Sequence, residues 1–221
     1  CSFTIAEGFE MNMFPVKKIS KTDEDVKNNS DVKDNTQSGP AEVIPVTSDE
    51  KTIAMDNNKF AWDIYTKLSG EKDNIFISPF SISTAIAMTY AGATDKTKEE
   101  MKNVMNFLSI DDEIHRGFGA FINRFNAAGK AGNYKLAVAN SLYGEETYKI
   151  KEKFKKYVLD KYKAPFNSVS FKKEAEKYRQ IINKWVEDVT NNKIKDLIPG
   201  GALNELTRFV LVNAIYFKGD W

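Results

Sequence analysis

Phe209-Val-Leu-Val-Asn-Ala-Ile-Tyr-Phe217 is an apolar run broken only by Asn213. Its β-branched and aromatic content predicts a strand. Apolar residues at both alternating sets of positions predict one covered on both faces. Asn213 would then be buried, and its amide would need hydrogen-bond partners. Upstream, Ile75-Phe-Ile77 reads as a short strand. Ser78-Pro79 follows as an N-cap with Pro at the first helical position, opening an apolar and therefore buried helix to about Ala91. Ser78, Ser81 and Ser83 lie at the mouth of that helix and are placed to supply the partners of Asn213. Asn140, inside Ala137-Val-Ala-Asn-Ser-Leu142, poses the same question of a polar group in an apolar place.

The remaining elements follow from periodicity. Phe60, Ala61, Ile64, Tyr65 and Leu68 recur at helical spacing and stop at Gly70. Thr97 to Glu100 reads as a capping box ahead of a stripe of Met101, Val104, Met105 and Leu108. Ile114, Phe118, Phe121, Ile122 and Phe125 predict an amphipathic helix ending near Gly129. Tyr134–Tyr143 reads as a strand, and Ile150, Phe154, Tyr157, Val158 and Tyr162 mark the next helix. Val169–Phe171 reads as a short strand before a long helix carrying Ala175, Tyr178, Ile181, Ile182, Trp185, Val186 and Val189. Helices first, then strands alternating with long helices, predict an α/β domain whose central strands are covered on both faces.

Composition narrows the function. The 221 residues carry a net charge of only +1, which gives no bulk electrostatic case for nucleic acid or membranes. A single Cys excludes a disulfide framework and multi-cysteine zinc sites, and a single His excludes paired-His zinc signatures. No Walker loop, GxGxxG or GxSxG occurs, so neither a cofactor nor an enzyme is expected. His115, beside Arg116 at a polar helical position, reads as solvated. The pairs Asp111-Asp112 and Glu145-Glu146 read as helix-start and loop charge. Lys149–Lys163 holds seven Lys against Glu152 and Asp160, a net of +5. That face, with Lys151, Lys155 and Lys156, is either solvated or a site for an anionic polymer such as a sulfated polysaccharide.

Five blocks, in order and at characteristic spacing, resemble the serpin family. They are Asn74-Ile-Phe-Ile-Ser-Pro-Phe-Ser-Ile82; Ala91-Gly-Ala with Thr97 and Glu100; and Ala139-Asn-Ser-Leu-Tyr143. Then come Ile182-Asn-Lys-Trp-Val186 with Thr190, Lys193, Ile194 and Leu197, and Leu211-Val-Asn-Ala-Ile-Tyr-Phe-Lys-Gly-Asp-Trp221. The resemblance implies the family's α/β architecture, with helices A–F and part of the large sheet A, whose third strand is Phe209–Trp221. It implies a shutter made of Ser78, Pro79, Ser81 and Asn213, and a breach at Trp221. It also implies suicide inhibition of a serine or cysteine protease: a cleaved reactive loop inserts into sheet A as a new strand. Carrier, chaperone or storage roles also occur on this scaffold. The reactive bond lies outside this chain, and the family's shutter His has no counterpart, since His115 falls in another helix.

Both ends carry expectations. Residues 1–56 hold 6 Lys/Arg against 11 Asp/Glu, a net of −5, and read as a flexible tail. Residues 57–221 read as the N-terminal portion of the serpin domain. Cys1-Ser2 ahead of a polar tether is compatible with a lipid-anchored, extracellular or cell-surface protein, and a surface-tethered binding lipoprotein is the reading from another class. No window is apolar enough for a transmembrane segment. The full-length protein is expected to be monomeric. The 221-residue piece alone, with Phe209–Phe217 as a bare apolar edge, is expected to be insoluble or partly folded and not to inhibit.

Overall fold

The computed structural model describes residues 2–4, 10–12, 45–70, 74–75, 77–131 and 134–219. Near the start, β1 (Ser2–Thr4) pairs antiparallel with β2 (Glu10–Asn12) inside the stretch expected to be a tail. Helix α1 (Ser48–Leu68) begins well before the boundary expected at residue 56. The reason is local and tertiary together. The Thr47 hydroxyl accepts from the Glu50 backbone N–H while the Glu50 carboxylate accepts from the Thr47 N–H, a complete capping box. Ile53 is buried, which gives the first turns a core-facing residue.

Helix α2 (Pro79–Tyr90) starts as expected, with the Ser78 hydroxyl accepting from the Ser81 N–H at 3.3 Å. Ile75 and Ile77 belong to no strand, because a lone extended segment needs a pairing neighbour and none of the described residues provides one. Helix α3 (Asp95–Val104) is capped at Thr94, so Thr97 lies inside it and the capping box expected there does not form. Its expected stripe is cut short: Met105 is buried, but Val104 and Leu108 are exposed. Helix α4 (Asp111–Ala131) buries Ile114, Phe118 and Ile122. Helix α5 (Glu152–Tyr162) ends on Lys163 in the left-handed region at φ 53°.

A three-stranded sheet organises the rest: β3 (Tyr134–Glu145), β4 (Phe166–Val169) and β5 (Phe209–Gly219), in the order β4-β3-β5. β4 runs parallel to β3, and β5 antiparallel to it with Asn140 opposite Asn213. The short strand precedes its expected position because Phe171 already opens α6 (Phe171–Val189). Side-chain alternation splits the core in two. Val138, Leu142, Phe209, Leu211 and Ile215 face the cluster of α1, α2, α4 and α5. Tyr143, Val169, Val210 and Val212 face α6 and its return loop, including Ile198 and Leu203. The sheet is thus covered on both faces, as the double-sided apolar pattern of β5 predicts.

Candidate functional site

The inner face of the sheet carries a chain of linked polar groups, of which Asn140 is buried and Ser81 and Asn213 are half-buried. The Ser81 hydroxyl, one turn into α2, donates to Asn213 Oδ1 on β5. Asn213 Nδ2 donates to Asn140 Oδ1 across the β3–β5 pair at 2.7 Å. Asn140, only 3 % exposed, donates through Nδ2 to the Tyr162 carbonyl at the end of α5 at 2.9 Å. The opposed register forces this meeting, since two side chains directly across an antiparallel pair lie on one face. Pro79 fixes the backbone entry of α2, and Ser78 caps the same turn, so Ser81 is held by its own helix. Of the three serines placed to reach Asn213, Ser81 does so. Ser78 serves as the cap, and Ser83 Oγ is buried with no hydrogen-bond partner among the described residues.

The chain continues through Tyr162. Its hydroxyl meets His115 Nδ1, and both residues are buried. This corrects the expectation that His115 is solvated. The ring sits among Tyr90, Tyr157 and Tyr162, with centroids 5.8, 5.2 and 5.7 Å away. Burial pushes its pKa down to about 4, and Lys98 and Lys161 add to that; Asp111 and Asp112 oppose it. Burial also pushes the Tyr162 phenol well up. Both groups are therefore neutral, and a hydroxyl donating to unprotonated Nδ1 satisfies each. The signal that could have found His115 is its place on α4, three and four residues before Phe118 and Gly119, on an inward-turning edge of the helix.

Glu145 is a second correction. Expected as loop charge, it ends β3 and is 2 % exposed. Its carboxylate accepts from the Thr147 hydroxyl at 3.0 Å and from the Lys172 backbone N–H at 3.1 Å. Burial pushes its pKa up, but the hydrogen bonds from Lys172, Thr147 and Phe171 outweigh this and hold it below the usual value.

The lysine face is less concentrated than its sequence. Lys155 pairs with Glu152 at 2.7 Å and lies over the Phe166 ring, while Lys151 and Lys156 are exposed. No group of three or more His, Cys, Asp or Glu able to hold a metal occurs among the described residues. No described helix is long and apolar enough to cross a membrane. Cys1 and Trp221, singled out as a lipid site and as the breach, lie outside the described residues.

Comparison with known proteins now identifies the class. The family described as Serpin (serine protease inhibitor) matches residues 55–221, and the chain belongs to it. It is 41 % identical over 167 residues to the leukocyte elastase inhibitor of Bos taurus, covering 75 % of this chain and 43 % of that protein. Among solved structures it resembles emu ovalbumin, with a TM-score of 0.71 at 30 % identity, covering 76 % of this chain and 47 % of that one. It also resembles human thyroxine-binding globulin complexed with thyroine, with a TM-score of 0.67 at 31 % identity, covering 77 % and 46 %. The chain spans less than half the length of the curated relatives it matches. The fold is the α/β serpin fold, represented by its helices and one three-stranded portion of a sheet.

Proposed function

We propose that the full-length protein is an inhibitor of serine proteases, with cysteine proteases as the alternative target, and not an enzyme. A protease would cleave an exposed loop, and the loop would join the sheet beside β5 before the acyl-enzyme hydrolyses. The observation that carries this reading is the chain from Ser81 through Asn213 to Asn140. It ties α2 to both β3 and β5, and β5 has no neighbour on its other side among the described residues. Ser78, Pro79, Ser81 and Asn213 then serve as the shutter, and Trp221 as the breach. Amide and hydroxyl groups suit a sheet with two arrangements, because they can exchange partners where an apolar contact would only be lost. In the same reading the protein acts as a monomer outside the cell or at its surface. The segment ahead of α1 is a tether to the inhibitory domain.

The test mixes the full-length protein with trypsin-like and chymotrypsin-like proteases and looks for an SDS-resistant complex. Its formation supports inhibition. Cleavage without a complex favours a second reading, a non-inhibitory carrier. The similarity to thyroxine-binding globulin is the observation that favours that reading.

A further inference from the structure

The end of α5 is held from two sides. From β3, Asn140 Nδ2 donates to the Tyr162 carbonyl and the Leu142 N–H donates to the Pro165 carbonyl, both at 2.9 Å. From α4, His115 Nδ1 meets the Tyr162 hydroxyl, and the Phe118 ring lies beside that of Tyr162 with centroids 6.2 Å apart. Tyr162 is thus a two-ended link. Its backbone carries the inner end of the polar chain that runs through Asn140 and Asn213 to Ser81. Its side chain ends on the one histidine of the sequence. Helix α5 stops here: Lys163 turns left-handed, and its N–H donates to the Leu159 carbonyl at 3.1 Å. Gly119 lies against the Lys161 carbonyl with no side chain between them, so α4 and α5 meet closely along this seam.

A proton on His115 conflicts with that arrangement. The neutral ring accepts at Nδ1 while the Tyr162 hydroxyl donates. A protonated ring has two donors and no acceptor, so the hydroxyl would keep its contact only by turning its own hydrogen elsewhere. Tyr162 is 0 % exposed, and no second acceptor for that hydrogen lies among the described residues. Nor are the surrounding charges free to compensate. Asp111 and Asp112 face the ring from α4, Lys98 from α3, Tyr90 from α2, and Tyr157, Lys161 and Tyr162 from α5. Asp111 is already engaged by Lys98 and by the Tyr90 hydroxyl, and Asp112 by Arg116. The other neighbours are phenols and cations. An imidazolium is better served by reaching water than by staying in this site.

We infer that His115 is an acid-sensitive latch: proton uptake parts the end of α5 from α4 and, because the same segment holds Asn140 and Leu142, frees the inner end of the polar chain on β3. The contacts of α6 on the outer face of the sheet take no part in this step. The latch stands whether or not the sheet gains a strand, since every contact in it is made within this chain.

Hydrogen exchange by mass spectrometry on the full-length protein, from pH 7 down to pH 4.5, tests it. Each opening that hydrates His115 takes up one proton, so between pH 6.5 and about 4 the open population should grow about tenfold per unit fall in pH. Intrinsic exchange also changes with pH, so the quantity read is the ratio of wild type to His115→Gln at one pH. That ratio should rise by about tenfold per unit for peptides covering 157–165 and 138–142, and stay flat for α1 and α6. If the variant fails to fold, 157–165 compared with 175–189 inside the wild-type protein gives the same reading. A ratio flat in every element would overturn the latch. So would a ratio rising equally in every element, because the proton would then be unfolding the whole domain. A rise confined to 157–165, with 138–142 unmoved, would overturn the link to the sheet.

Discussion

Replacing His115 by glutamine should remove a specific acid sensitivity from the folded protein. Glutamine keeps an acceptor for the Tyr162 hydroxyl but cannot take up a proton. The unmodified ring is 2 % exposed, and its pKa falls from 6.5 to about 4 on folding, chiefly because burial disfavours the charged form. Between those values the unfolded chain binds the proton and the folded chain does not, so stability rises with pH across this window. Lowering the pH from 7 to 4 therefore costs the wild type roughly 3 kcal/mol that the glutamine variant keeps. The groups around the ring are Asp111 and Asp112 from its own helix, Lys98 from α3, Tyr90 from α2, and Tyr157, Lys161 and Tyr162 from α5. All of them remain in the variant, so the difference between the two proteins isolates the imidazole. Other acid terms cancel in the same way. Glu50, held at about 2 by its hydrogen bond to Arg124, loses its contribution as pH falls through the window from 4.5 to about 2 in both proteins. The assay is urea unfolding of the full-length protein at several pH values. The midpoint gap should open by about 1 M or more toward pH 4, given slopes of ~1–3 kcal/mol/M. Parallel pH profiles for the two proteins would refute the assignment of a buried, neutral His115.

Three further outcomes are expected. Asn213→Ala leaves Asn140 Oδ1 and the Ser81 hydroxyl without their partner, and should lower stability by about 2 kcal/mol or more, while Ser81→Ala should cost less; equal, near-zero losses in unfolding midpoints would dissolve the polar chain. Gly119→Ala would place a Cβ 2.6 Å from the Lys161 carbonyl oxygen, and should cost about 1–2 kcal/mol despite alanine's better helix propensity; thermal unfolding reads it, and a gain would show that α4 and α5 part freely. Lys151→Ala/Lys156→Ala should lower the salt needed to elute the protein from heparin resin, and elution of the unmodified protein with a neutral control would remove the anionic-polymer site.

Half of the polar chain could be read directly from the sequence. Asn213 and Asn140 each interrupt an apolar strand pattern, and a buried amide demands partners, so both announce themselves. Ser81 could be placed beside them because Ser78-Pro79 marks where α2 opens. Tyr162 and His115 could not. Each looks ordinary on its own helix, and their meeting depends on how closely α4 approaches α5. That approach is set by Gly119, a residue whose significance is only that Lys161 lies against it. Glu145 looks like loop charge for a related reason: the N–H it caps is 27 residues away, at the start of a helix whose own N-cap residue makes no cap bond. The segment 48–56 has the composition of a tail, while its capping box and buried Ile53 are those of a helix. Composition averages over residues that structure treats individually.

The same pair of strands is held by the polar chain on one face and by a cover, α6 with its return loop, on the other. Beneath β3 and β5, Asn140 and Asn213 are bound to α2 and α5 by polar side chains; above them, α6 and its return loop press apolar side chains on Tyr143 and Val212. Adding a strand at β5 would require both faces to yield, and they yield at different cost. The lower contacts can be replaced one for one by hydrogen bonds to a new neighbour, so their loss need not persist. The upper contacts are apolar area, which is lost in proportion to what is uncovered and has no substitute until the cover reseats. The cover, and not the polar chain, should therefore set the barrier to strand addition. Stabilising the seat of α6 should then slow insertion more than strengthening the chain through Asn213 does. Filling mutations at Ile198 or Leu203 that raise the unfolding midpoint without slowing protease trapping would contradict this ordering.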